Sequence, residues 1–166
     1  MGFRNCVDPG DPICRWWVGA VKVDFMPLDA AALGFTNPWY RPGLARTIKK
    51  TLPSGRTIRL FSAPDPIAIK MLAHADLERN GHDLRLNQDF EDVVVLLGSS
   101  EFYQGLAAEM SHDVGLFLSE VFSRVMRDPQ FDGAVSAALE ARQRAQERGH
   151  RTKKWIMDLA EGRPQA

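Results

Sequence analysis

The chain has 166 residues, enough to bury one hydrophobic core of ordinary size and too few for a second independent domain. Hydrophobic residues make up 45% and charged residues 25%, the balance of a folded globular protein rather than a disordered one. With 21 basic and 21 acidic residues the formal charge is zero, so no global field draws the chain to nucleic acid or to an anionic membrane; any such binding has to come from a local patch.

Cys6 and Cys14 are the only cysteines, too few for a disulfide framework and without His or Cys partners at zinc-site spacing. Reduced thiols in a cytoplasmic protein are expected. No stretch approaches the roughly 20 apolar residues that span a bilayer. Residues 1–8 lack the apolar run and small-residue cleavage site of a signal peptide.

Residues 13–18 and 20–26 are short β-forming runs on either side of Gly19, which predicts a hairpin. In the second run Val21, Val23 and Phe25 alternate with Lys22 and Asp24, so the two charged residues share one face of the sheet. A carboxylate inside a strand is costly to bury, which makes Asp24 either a water-facing edge residue or a functional acid. Residues 28–43 form a connection rich in Ala, Gly and Pro that carries Phe35, Trp39 and Tyr40. Residues 46–52 and 56–61 flank Pro53-Ser54-Gly55 and predict a second hairpin.

After Ser62-Ala63-Pro64-Asp65 the period changes. Ile67, Met71, Leu72 and Ala75 fall on one helical stripe, capped before by these residues and stopped by Asn80-Gly81, while Lys70, His74 and Glu78 share another face. A polar loop with His82, Asp83, Arg85 and Asn87 leads into a helix over 89–97. There Asp89 and Asp92 project together, and Phe90, Val93, Val94 and Leu97 cover the core. From residue 101 the pattern is helical. Val114, Phe117, Leu118, Val121, Phe122, Val125 and Met126 form a stripe, and Pro129 separates that helix from one beginning near Phe131. Residues 142–154 are basic, with Arg142, Arg144, Arg148, Arg151, Lys153 and Lys154. The expected class is α+β in one compact unit: a β-rich part over 1–62 and a helical part over 63–166.

Each chemically suggestive residue also has a plain structural explanation. A helix lysine such as Lys70 is ordinarily solvated, but beside carboxylates it can neutralise phosphate charge, or act as a base if its pKa is lowered. Asp89 and Asp92 can be helix-start acids favoured by the helix dipole, or can orient the lysine and position a substrate. His74 and His82 lack a partner at recognised metal spacing. Trp16, Trp17, Trp39 and Tyr40 can pack in a core or stack on bases, and the basic tail can be a solvated face or hold an RNA backbone.

Taken in order, Pro12-Ile13-Cys14-Arg15-Trp16, Val21-Lys22-Val23-Asp24-Phe25-Met26-Pro27, Leu33-Gly34-Phe35-Thr36-Asn37-Pro38-Trp39-Tyr40, Ser62-Ala63-Pro64 leading to Lys70, and Asp89-Phe90-Glu91-Asp92-Val93 resemble the AbiEii-type nucleotidyltransferases of bacterial abortive-infection and toxin–antitoxin systems. The resemblance implies a nucleotidyltransferase-like mixed sheet, partial here, followed by a helical C-terminal region. It implies metal-dependent transfer of a nucleotide from a nucleoside triphosphate (NTP) to an acceptor such as tRNA, with Mg²⁺ as cofactor and a cognate antitoxin as a further partner. Asp24, Lys70, Asp89 and Asp92 would then be catalytic, Lys70 and Arg79 would bind nucleotide, and Asp24 would hold metal together with further carboxylates upstream.

The family's Gly-Ser motif and its Asp-any-Asp pair, which lie upstream of the position of Asp11, do not occur in this sequence. Asp8-Pro9-Gly10-Asp11 has the wrong spacing, and its prolines oppose a regular strand. The expectation is therefore a truncated form, weak or inactive alone. The alternative is a non-catalytic module that pairs with an antitoxin, RNA or a separate amino-terminal fragment.

Overall fold

The first reversal of the chain is set by Gly19, whose φ of 62° lets β2 (Arg15–Val18) turn directly into β3 (Val21–Asp24). The computed structural model describes residues 2–6, 10–32, 34, 36–75, 83–140 and 145–163. Opposite β3, the other edge of β2 pairs antiparallel with β1 (Phe3–Asn5), a strand too short to show in the alternation pattern, giving the order β1-β2-β3. Arg15 lies across from Asp24 and Trp17 across from Lys22, so Lys22 and Asp24 do share a face.

The stretch expected to be a plain connection contains a 3₁₀ turn, Ala30–Ala32, and a short helix, α1 (Tyr40–Ala45). The chain divides into two compact units, Met1–Arg41 and Pro42–Ala166. The second unit opens with β4 (Ile48–Thr51) and β5 (Thr57–Leu60), antiparallel and joined through Gly55 at φ 79°. The expected mixed sheet is thereby corrected: the described strands form two separate antiparallel sheets of three and two strands. Parallel neighbours need a long crossover, and the connections within each sheet here are short.

Helices dominate the α+β architecture, seven of them among the described residues. In α2 (Pro64–His74), Pro64 occupies the helix start, where its missing N–H costs nothing. Ile67, Ala68 and Met71 are buried, whereas Leu72 is half-buried and Ala75 exposed, so the inward stripe is rotated from the one expected. Asn87 caps α3 (Gln88–Leu97), its Oδ1 accepting from the Phe90 amide at 2.9 Å. Phe90, Val93, Val94 and Leu97 all point inward, as their spacing implies.

The remaining helices are α4 (Ser100–Glu109), α5 (His112–Val125), α6 (Phe131–Glu140) and α7 (Ala145–Ala160). Val114, Leu118, Val121, Phe122 and Val125 are buried, with Phe117 and Met126 at the margin of the stripe. Helix α2 packs on α3, α5 on α7, and α6 on both α3 and α7. Ile67, Met71, Phe90, Leu97, Phe122 and Ile156 meet in the resulting core. The hydroxyls of Ser119 and Ser123 donate to the Ala160 carbonyl at 2.6 and 3.2 Å, fixing the end of α7 against α5. No described helix is long and apolar enough to cross a membrane. The expected stop at Asn80-Gly81, Glu78, and the tail residues Arg142 and Arg144 lie outside the described residues.

Candidate functional site

Asp24 owes its place in β3 to the residue opposite it. Arg15 Nε donates to Asp24 Oδ1 at 2.8 Å and Arg15 Nη2 to Oδ2 at 2.9 Å, a forked pair that the cross-strand register imposes. Arg15 Nη1 also reaches Asp11 Oδ1 at 3.4 Å, which in turn accepts from Lys22 Nζ at 3.3 Å. The hydrogen bond from Arg15 holds the Asp24 carboxyl below the usual carboxylate range, against the opposing pull of partial burial. The Asp24 hydrogen bond likewise raises the Arg15 guanidinium. Mg²⁺ needs carboxylate oxygens that converge on it, and both oxygens of Asp24 are turned to a guanidinium, so Asp24 as placed does not fit the role of metal ligand. Among the described residues no three His, Cys, Asp or Glu side chains gather as a metal site would require.

The second cluster lies wholly in the helical unit. Lys70 on α2 donates from Nζ to Asp89 Oδ1 at 3.0 Å and to Asp92 Oδ2 at 2.7 Å. The cap at Asn87 starts α3 just before these acids, and their three-residue spacing brings both to the facing lysine. Burial separates the two acids: the Asp89 side chain is 5% exposed and that of Asp92 42%, with Lys70 between them at 34%. Burial alone would lower the Lys70 pKa, but its hydrogen bonds to Asp92 and Asp89 outweigh it and the net direction is upward. Lys70 is therefore a fixed cation, suited to neutralising phosphate charge rather than to acting as a base.

His74 follows Lys70 by one turn. Its ring lies 5.8 Å from that of Phe90, and its buried Nδ1 has no hydrogen-bond partner among the described residues. Burial lowers its pKa from the ordinary 6.5, only partly opposed by Asn87 and the charges of Asp89 and Asp128. A depressed folded-state value favours the neutral ring. Its contribution to stability is fully present above pH 6.5 and is lost as pH falls through the lower, folded value. Urea unfolding is expected to show stability declining below that pH, with the decline flattened in His74→Phe; an identical pH profile for the two proteins removes His74 as the cause. His82 and Arg79, the other expected contributors here, lie outside the described residues.

One ion pair was not expected. Asp65, in the first turn of α2, is completely buried; its Oδ1 accepts from Arg46 Nη2 and its Oδ2 from Ser62 Oγ at 3.0 Å. Gly43 lets the chain pass close by, since a Cβ there would lie 2.9 Å from the Phe61 ring and 3.1 Å from Asp65 Cγ. The Ser62-Ala63-Pro64-Asp65 segment signalled a helix start, but nothing local pointed to Arg46 as its partner.

Of the basic tail, the side chains of Arg151, Lys153 and Lys154 are described, and each has a partner. Lys153 pairs with Asp132 at 2.6 Å, Lys154 with Asp158 at 2.7 Å, and Arg151 lies over the Trp155 ring at 5.2 Å. Trp155 itself stacks on Tyr103 with centroids 4.2 Å apart. Comparison with known proteins finds no matching family model, no matching curated protein and no matching solved structure.

Proposed function

We propose that the chain is a nucleotidyltransferase-family protein of the AbiEii type, in which Lys70, Asp89 and Asp92 form the accessory half of an NTP site. The observation that carries this reading is a partly exposed lysine hydrogen-bonded between one buried and one open carboxylate, which raise its pKa. Asp89 is too buried to leave and fixes the ammonium in place. Asp92 faces water, so a phosphate oxygen can take its position on Lys70 and keep a charge-assisted hydrogen bond. The resemblance supplies the reaction class, transfer of a nucleotide to an acceptor such as tRNA, with Mg²⁺ entering alongside the triphosphate. Because Asp24 is clamped by Arg15, no catalytic step is assigned to it.

That same clamp favours a second reading, a non-catalytic module that binds NTP, RNA, an antitoxin or a separate amino-terminal fragment without transferring anything. Incubation with labelled ATP, GTP, CTP and UTP, Mg²⁺ and total tRNA separates the two. Weak transfer of label to RNA, as from an accessory half-site, is expected under the first reading, falling by roughly 10²-fold in Lys70→Ala as a preorganised cation is lost. Saturable NTP binding lost in Lys70→Ala, with no label transferred, supports the second. If neither binding nor transfer is seen at high protein concentration, the Lys70 cluster is only a structural ion pair.

A further inference from the structure

Although the chain as a whole is neutral, its positive charge is unevenly placed. Residues 42–62 contain Arg46, Lys49, Lys50, Arg56 and Arg59 and not one Asp or Glu. Arg46 is consumed by Asp65. The other four belong to the β4–β5 hairpin and make no ion pair among the described residues. Lys49 and Arg59 stand directly opposite each other in the ladder. Like charges in that position repel, and no acid pairs with them among the described residues, which leaves both cations open to an anion from outside.

What shares their face identifies the anion. Alternation puts Lys49, Thr51, Thr57 and Arg59 on one side of the hairpin. The Thr51 and Thr57 hydroxyls lie 3.2 Å apart, and Arg59 Nε donates to Thr47 Oγ1 at 2.8 Å, which holds the guanidinium over this face. Ile48, Ile58 and Leu60 lie on the other side. Within the ladder this face carries no apolar side chain; at its end only Leu44 and Phe61 join Thr47 and Arg59 around a cavity, too small a patch for the apolar core of a protein interface. Lys, Arg and Thr in a row are instead the donor set used on phosphate oxygens.

We infer that the β4–β5 hairpin is a sequence-independent docking surface for the phosphate backbone of a nucleic acid, centred on Lys49 and Arg59. It stands on residues separate from the Lys70 cluster and does not depend on transfer activity.

The test is fluorescence anisotropy of the full chain with labelled mixed-sequence single-stranded RNA, RNA duplex and DNA duplex across a range of salt. Two backbone contacts contribute about 1.4 to the slope of log affinity against log salt, equivalent to about 25-fold in affinity at 0.1 M salt. The Lys49→Ala/Arg59→Ala variant is expected to lose that much affinity and that much slope. Lys153→Ala/Lys154→Ala is expected to bind like the parent. Binding confined to RNA or to DNA supports the inference and names the source of the phosphates. The inference is overturned if the parent's own slope is below about 1.4, a criterion that needs no variant to fold. It is also overturned if the hairpin variant binds as tightly as the parent, or if polyglutamate or phosphatidylserine vesicles compete as well as unlabelled nucleic acid.

Discussion

Replacing Arg46 with alanine is expected to lower the free energy of unfolding by about 3–5 kcal/mol, the range found when one partner of a buried ion pair is removed. Asp65 is the reason. Its carboxylate is completely buried, and without the guanidinium its remaining side-chain donor among the described residues is the Ser62 hydroxyl, too little to replace lost hydration. The Gly43 backbone and Phe61 ring crowd the same spot and leave little room for repair. Urea unfolding followed by circular dichroism measures the effect. Arg124→Ala provides the contrast, because its partner Glu120 is well exposed and water takes over from the lost guanidinium. A midpoint for Arg46→Ala no lower than that for Arg124→Ala would show that the Asp65 pair does not support the fold.

Phe90→Ala is expected to cost a similar amount, about 3–5 kcal/mol, by removing an aromatic from a packed core. Phe90 is 1% exposed and lies between the His74 ring on α2 and the Phe131 ring on α6, 6.4 Å away. The resulting cavity would open beside His74, so a second and independent readout exists. As water reaches the imidazole, its pKa should climb back toward 6.5, measured from the His74 ring protons by NMR titration. A stability loss below about 1 kcal/mol, with the His74 titration unchanged, would mean that α3 repacks around the smaller side chain.

The parts of this architecture that were legible in the sequence are those written in local period. The α3 stripe of Phe90, Val93, Val94 and Leu97, and most of the α5 stripe from Val114 to Val125, pack inward as their spacing required. Gly19 and Pro53-Ser54-Gly55 marked both hairpins because each turn needs a particular backbone geometry. Juxtaposition of Lys70 with Asp89 and Asp92 was one of the two readings of those acids; α3 could be phased from its apolar residues, α2 could not.

Pairings across long separations in sequence carried no such signature. Arg46 and Asp65 are 19 residues apart, and each viewed alone is an ordinary charged residue. Strand β1 is three residues long, too short for alternation to stand out. Asp24 could be recognised as needing an explanation, but its explanation, Arg15, depended on the register of the hairpin. The α2 stripe rotated away from Leu72 and Ala75 because Lys70 and His74 turn toward α3, a tertiary preference that hydrophobic spacing alone does not encode.

The two serine hydroxyls on the Ala160 carbonyl bear on how the molecule opens. A helix ordinarily frays from its carboxyl end, where the last carbonyls lack partners, and such fraying is fast and nearly free. Here the end of α7 cannot loosen by itself, because releasing Ala160 also means pulling it from Ser119 and Ser123 in the middle of α5. Backbone amides in that last turn therefore exchange with solvent through the separation of α5 from α7, a cooperative event of the whole bundle. A protease approaching from that side meets a helix end whose lifetime is tied to the core.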